Sequence, residues 1–188
     1  MITKLDIVMR RYSLMFAKLA GLVILGSALM VSIDVVTRSL LGWTLGGADE
    51  LSGYALAIGI AWSLPYCLHR RANIRVDSFY WMLPRRGRVV LDVISMVLLG
   101  AFILLLTYRA SGVVIETVAR NSRSVSPLSV PLIVPQSIWL MGLVWYTFAY
   151  LVSLARLFTA LLGRDLDSVF LIAGSASDHG EDGQNSVM

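Results

Sequence analysis

Apolar residues in this chain fall into four long blocks, separated by short stretches that hold most of its charges. The block lengths suit a membrane rather than a globular core. Leu51 to Leu68 contains no Asp, Glu, Lys or Arg, and a helix needs about 20 such residues to cross a hydrocarbon core of roughly 30 Å. Gly46 and Gly47 break the chain before this block. Asp49 and Glu50 then occupy its first turn, where carboxylates meet the positive end of the helix dipole. His69, Arg70, Arg71 and Arg75 follow it, and basic side chains mark the cytoplasmic face of a membrane. The block is therefore expected to enter from outside and leave inside. The same reading places four spans at about 14–36, 49–68, 89–108 and 135–156.

The first block follows Lys4, Arg10 and Arg11, so it could open as a signal peptide or as a membrane helix. Apart from Lys18, which can snorkel to the surface, it runs to Ile33 without a small-residue cleavage site, which favours the helix. Asp34 and Arg38 stand four apart on one face and are expected to pair. In the second block Gly53, Ala57 and Ala61 form one stripe of small residues, and Ala55, Gly59 and Ser63 form another. Two positions correspond to roughly 200° of helical rotation, so the stripes lie on opposite faces. Small residues let backbones approach closely in lipid, although glycine and alanine are also common in membrane helices generally. Pro65 falls in the last turn, where it is tolerated or kinks the exit.

Residues 73–84 are too short to span, and their Phe79, Tyr80 and Trp81 suit a segment lying in the inner headgroup region. The third block starts at Val89, with Asp92 four residues from Arg88 and expected to pair with it. Beyond Tyr108, charges at Arg109, Glu116, Arg120 and Arg123 interleave with Val113, Val114, Ile115 and Val118. That pattern fits a helix continuing past the membrane or turning along it. Ser124 to Ala155 is uncharged but divided by Pro127, Pro131 and Pro135, so the last helix should begin between Pro131 and Gln136. Residues 1–163 thus read as one four-helix membrane domain. The polar stretch 164–188 reads as a disordered cytoplasmic tail.

Composition agrees: the 188 residues are 57% hydrophobic with a mean hydropathy of +0.74, beyond what a soluble domain carries. The net charge of +4 does not point to nucleic acid, because the arginines sit in short loops between apolar blocks. They report orientation instead. The N-terminal segment, residues 69–88 and the stretch after the fourth block hold 4, 6 and 2 Lys or Arg, against 4 in the two opposite loops. Both termini are expected to be cytoplasmic. The fold class is accordingly an all-α integral membrane protein of four transmembrane helices with short interfacial segments.

The candidate chemistry is sparse. Cys67 is the single cysteine, and the two histidines, His69 and His179, lie far apart in the chain, so no metal cluster or bis-histidine haem site is expected. No phosphate-binding glycine loop or nucleophile with its base is visible. Neither an enzyme nor a cofactor is expected. The middle of each span also lacks the ionisable residues that a proton relay or ion-coupled site places there.

Several motifs together resemble the small membrane subunit of tripartite ATP-independent periplasmic (TRAP) transporters, the DctQ-like subunit, over most of residues 10–158. They are Arg38 followed by Glu50 at the second span, Tyr54 and Trp62 within it, and the Arg71-x-x-Ile-x-Val-Asp exit ending at Asp77. SPLSVPLIVPQSIWLMG, with Leu128, Pro131 and Trp139, resembles the family's proline-containing entrance to its last helix. Asn73, where the family often has histidine, and the GGADE approach depart from the pattern.

The resemblance implies a bacterial inner-membrane scaffold for a large multi-spanning subunit holding substrate and sodium sites. It also implies a periplasmic solute-binding protein that delivers an organic anion, commonly a carboxylate. Arg38, Glu50, Tyr54, Ala57, Gly59, Trp62, Arg71, Asp77, Pro131 and Trp139 are then the candidate partner-interface residues, with membrane lipid as the remaining neighbour. A free-standing homo-oligomeric channel or carrier, packed through the small-residue stripes, is the alternative.

Overall fold

A computed structural model describes residues 2–44, 46–70 and 85–162 of the chain. Four α-helices account for nearly all of them: α1 (Ile2–Leu41), α2 (Ala48–His69), α3 (Arg85–Arg120) and α4 (Ile133–Leu162). Each has the length and composition needed to cross a membrane. Among the described residues no strand forms beyond an isolated bridge between Arg123 and Pro131. The fold is that of an all-helical membrane protein.

Three of the helices run at least ten residues past the ~20 a bilayer demands: α1 has 40, α3 has 36 and α4 has 30, against 22 for α2. Hydropathy marks only the apolar part of a helix. Lys, Arg and Glu are good helix formers in water, so the backbone continues where hydropathy falls. Glu116 and Arg120, one turn apart, pair at 2.7 Å on the solvated end of α3 and support that extension.

The helix ends have local causes. Gly42 lies beyond α1 with φ +68, the left-handed conformation that closes a helix without a Cβ clash. Asn121 does the same for α3 at φ 47. Its N–H donates to Val118 at 3.2 Å and that of Ser122 to Thr117 at 3.1 Å, the paired bonds of a Schellman cap. In α4, Pro135 sits in the first turn, where a missing N–H forfeits nothing because those donors have no intrahelical acceptor.

Burial follows helical periodicity. On α1 the enclosed positions are Met9, Ser13, Ala20 and Asp34, and on α3 they are Asp92, Met96, Ile103, Ala110 and Thr117. Spacings of four, seven and fourteen put each set on one face. The opposite faces carry large exposed apolar side chains such as Leu22 and Leu98, at 66% and 64%, the surface a bilayer or another membrane chain would cover.

α2 and α4 form the centre, with α1 against α2 and, less extensively, α4, while α3 packs on α4. One core cluster joins Met96 and Ile103 of α3 to Tyr146, Tyr150 and Leu157 of α4, with Leu64 and Leu68 of α2 against it. A second joins Ala61, Ala110 and Leu143. Tyr150 is enclosed to 1% and its hydroxyl donates to the backbone carbonyl of Met96. The aromatic ring would otherwise bury an unmatched O–H.

Candidate functional site

At the end of the molecule where α1 turns into α2, a polar cluster brings the start of α2 against the α3–α4 connection. Glu50, in the first turn of α2, accepts a hydrogen bond from the Tyr54 hydroxyl one turn later. The hydroxyls of Ser124 and Ser126, from the α3–α4 connection, lie beside the same carboxylate. Those serines are held in turn: the Ser124 Oγ donates to that of Ser126 at 3.1 Å, and the backbone N–H of Ser124 donates to Val130 at 2.9 Å. The connection therefore folds back as a small hairpin over the start of α2. Leu128 completes the closure by packing on the Cα of Gly47, where a Cβ would collide with its side chain.

The neighbouring Asp34 is 5% exposed, and its Oδ1 accepts from Thr44 Oγ1 at 3.0 Å. This differs from the expected pair with Arg38, which is exposed. Asp34 faces the turn rather than its own helix surface, because the α1–α2 connection folds back over it. Asp92 is buried at 2%, whereas the side chain of its expected partner Arg88 lies outside the described set.

The middle of the helix pack is built on close approaches at single glycines. A Cβ on Gly59 of α2 would lie 2.6 Å from Ile24 of α1, and one on Gly142 of α4 would lie 2.8 Å from Trp62 and 3.0 Å from Ala61 of α2. One on Gly100 of α3 would lie 2.8 Å from Tyr150. Where lipid competes equally for apolar contact, such short interaxial distances supply the packing that holds helices together. The two stripes on α2 are used unequally. Gly59 meets α1 and Ala61 meets α4, but Gly53 has open space beside it and Ala57 is exposed.

The candidate residues thus separate. Gly59, Trp62 and Trp139 serve internal packing: Trp62 Nε1 donates to the Ile138 carbonyl at 3.0 Å, and Trp139 packs on the Ala61, Ala110 and Leu143 cluster. Glu50 and Tyr54 bond to each other beside Ser124 and Ser126 of the hairpin that carries the exposed Pro131. Arg38 and Ala57 remain on the surface, and Arg71 and Asp77 lie outside the described residues. Sequence reasoning missed Gly100, Gly142 and Tyr150, each of which touches another helix; their only signal was a glycine or tyrosine within an apolar block.

Several hydroxyls within the helices bond inside the protein, whereas Ser13 Oγ, Gln136 Oε1 and Trp145 Nε1 are buried with no hydrogen-bond partner among the described residues. Ser63 donates to Ile60 at 3.0 Å, Ser95 to Leu91 at 2.8 Å, Ser137 to Val134 at 2.9 Å and Ser153 to Ala149 at 3.1 Å. Thr107 and Thr147 bond to each other across α3 and α4 at 2.8 Å. Among the described residues no group of three His, Cys, Asp or Glu side chains is placed to hold a metal ion.

The family model described as "Tripartite ATP-independent periplasmic transporters, DctQ component" matches residues 27–160. No curated protein and no solved structure matches.

Proposed function

This chain belongs to the DctQ component family of tripartite ATP-independent periplasmic transporters, as a small membrane subunit, and from that premise we propose that it is a structural scaffold with no part in coordinating the cargo. In this reading it holds a large multi-spanning subunit that carries the substrate and sodium sites. A periplasmic solute-binding protein delivers an organic anion, a carboxylate in the simplest case. The chain sits in the bacterial inner membrane with both termini cytoplasmic, as the 12 to 4 distribution of Lys and Arg favours. It performs no catalysis.

The observation that supports the scaffold most directly is that the hydroxyls within its spans serve helix bonds and have no carboxylate in the same run. An ion path needs oxygens free to replace a hydration shell. The hydroxyls of Ser63, Thr107 and Ser137 direct their protons to their own or a neighbouring helix, and the runs that carry them, 51–68, 93–108 and 124–155, hold no Asp or Glu to complete a cation site. Exposed apolar faces on α1 and α3 and the surface positions Arg38 and Ala57 are left for a partner.

Uptake by reconstituted vesicles tests this reading. Omitting the chain should abolish organic-anion uptake, whereas Ser63→Ala, Thr107→Val and Ser137→Ala should leave the apparent substrate and sodium affinities unchanged. A shift in sodium dependence with assembly intact would place this chain in the ion path and overturn the scaffold.

A further inference from the structure

Between α1, α2 and α4 runs an open apolar groove of about 690 Å³, within the ~300–1,000 Å³ typical of ligand pockets. Tyr12 and Phe16 form one wall, Trp62 the floor, and Met141, Trp145 and Phe148 the other wall. Phe16 anchors the site, with its ring 4.7 Å from that of Trp62 and 5.9 Å from that of Trp145, both edge to face. Tyr12 and Phe148 extend the aromatic surface along the two walls.

Two features distinguish what could fill this space. Its walls are bulky aromatic and Met side chains, whereas a docking helix in lipid favours small residues that admit its backbone. One end is also basic. Arg10 and Arg11 immediately precede Tyr12, are exposed, and form no ion pair among the described residues. Arg70, two turns beyond Trp62 on α2, is exposed as well and is held over Tyr66 by a hydrogen bond of 3.0 Å and a ring contact of 5.7 Å. These arginines flank the same end of the molecule, because α1 begins there and α2 ends there.

We propose that the groove seats one anionic phospholipid from the leaflet on the side of Arg10 and Arg11, with an acyl chain along Val144 and Met141 and its phosphate among the arginines. An acyl chain conforms to an uneven aromatic wall, and the headgroup supplies the charge that the basic end lacks. A zwitterionic lipid fits the groove but not its end. The bound lipid would fill a gap between α1 and α4 that the protein leaves open, acting as a packing element of the subunit.

Lipid retention tests this on the full chain, purified with any membrane subunit that accompanies it. The sample is equilibrated with equal amounts of phosphatidylglycerol and phosphatidylcholine, then examined by native mass spectrometry. Wild type should retain one phosphatidylglycerol in preference to phosphatidylcholine. Arg10→Gln with Arg11→Gln should reduce that preference, roughly fivefold for each arginine. Val144→Trp and Met141→Trp fill the groove from exposed positions and should remove retention of both lipids.

Equal retention of the two lipids by wild type, or undiminished phosphatidylglycerol in both groove-filling variants, overturns the proposal. So does a photo-crosslinker at Val144 that captures a protein chain instead of lipid, since a partner helix would then own the groove. The readout involves no transport, so failure of the scaffold reading would leave this result interpretable.

Discussion

Trp62 of α2 donates its indole N–H to the main-chain carbonyl of Ile138 on α4 at 3.0 Å, joining residues 76 apart in sequence. The same indole lies against Gly142, one turn further along α4, at a distance that leaves no room for a Cβ. Its opposite side meets the Phe16 ring of α1. One side chain thereby fixes three helices at a common level, and the glycine is what lets it enter. Trp62 is among the residues that carry the family resemblance, and the structure gives it a packing role inside the subunit.

That geometry makes Gly142 sensitive and Gly53 tolerant. Gly142→Ala would place a methyl 2.8 Å from Trp62 and 3.0 Å from the Ala61 Cβ, and the latter cannot rotate away. The expected cost is about 1–3 kcal/mol. Gly53→Ala meets nothing within 4 Å and should be neutral or stabilise by up to ~1 kcal/mol through helix preference. Thermal unfolding in detergent should show the first variant melting well below the second, and equal melting temperatures would contradict the close approach.

Tyr54→Phe removes the hydroxyl that donates to Glu50 and should loosen the hairpin over α2. Trypsin cleavage after Arg123 is a direct measure, because that residue is exposed within the hairpin. Cleavage should accelerate several-fold in Tyr54→Phe and stay at the wild-type rate in Ser52→Ala, whose hydroxyl bonds only to the carbonyl of Asp49. The same rate in both would detach Tyr54 from the hairpin.

The cap at Asn121 distinguishes side chains by backbone conformation. At φ 47 glycine should be accepted without loss. Valine there should destabilise by roughly 1–2 kcal/mol, the strain of a left-handed residue with a branched Cβ. Urea or thermal midpoints of Asn121→Gly and Asn121→Val would differ accordingly, and matched midpoints would exclude the cap.

Orientation is open to cysteine labelling in a Cys67→Ser background. Val125 is fully exposed in the hairpin and Arg10 is exposed near the start of α1. A reagent that cannot cross the membrane should label Val125→Cys from the periplasmic side and leave Arg10→Cys unmodified until the membrane is opened. The reverse pattern would invert the topology. Gly47, otherwise a natural choice, is unsuitable because any side chain there meets Leu128.

Membrane helices announce themselves through local composition, since burying backbone polar groups in lipid requires a continuous apolar helix whatever surrounds it. The uncharged run from Leu51 to Leu68, the glycines before Ala48 and the proline placement before α4 therefore sufficed to identify four helices and their class. The motif around Arg38, Glu50, Tyr54 and Trp62 likewise led to the family that residues 27–160 match. Helix lengths were less legible, because hydropathy falls silent where α1 and α3 run on through charged but helix-favouring residues.

Which helices touch was decided only in three dimensions. In lipid no hydrophobic gain selects one apolar face over another, so the choice falls to side-chain shape and to a few hydrogen bonds. Gly53 and Gly59 belong to equivalent stripes in the sequence, yet Gly59 meets Ile24 and Gly53 meets open space, because α1 and α4 cover α2 unequally. Asp34 stands four residues from Arg38 but bonds to Thr44, because the turn after α1 carries a hydroxyl back to it. Sequence determined that the chain is made of four membrane-crossing helices and what family they form. Tertiary structure decided that α2 and α4 are the centre, where the glycine at 142, the indole of Trp62 and the Ile138 carbonyl meet at contact distance.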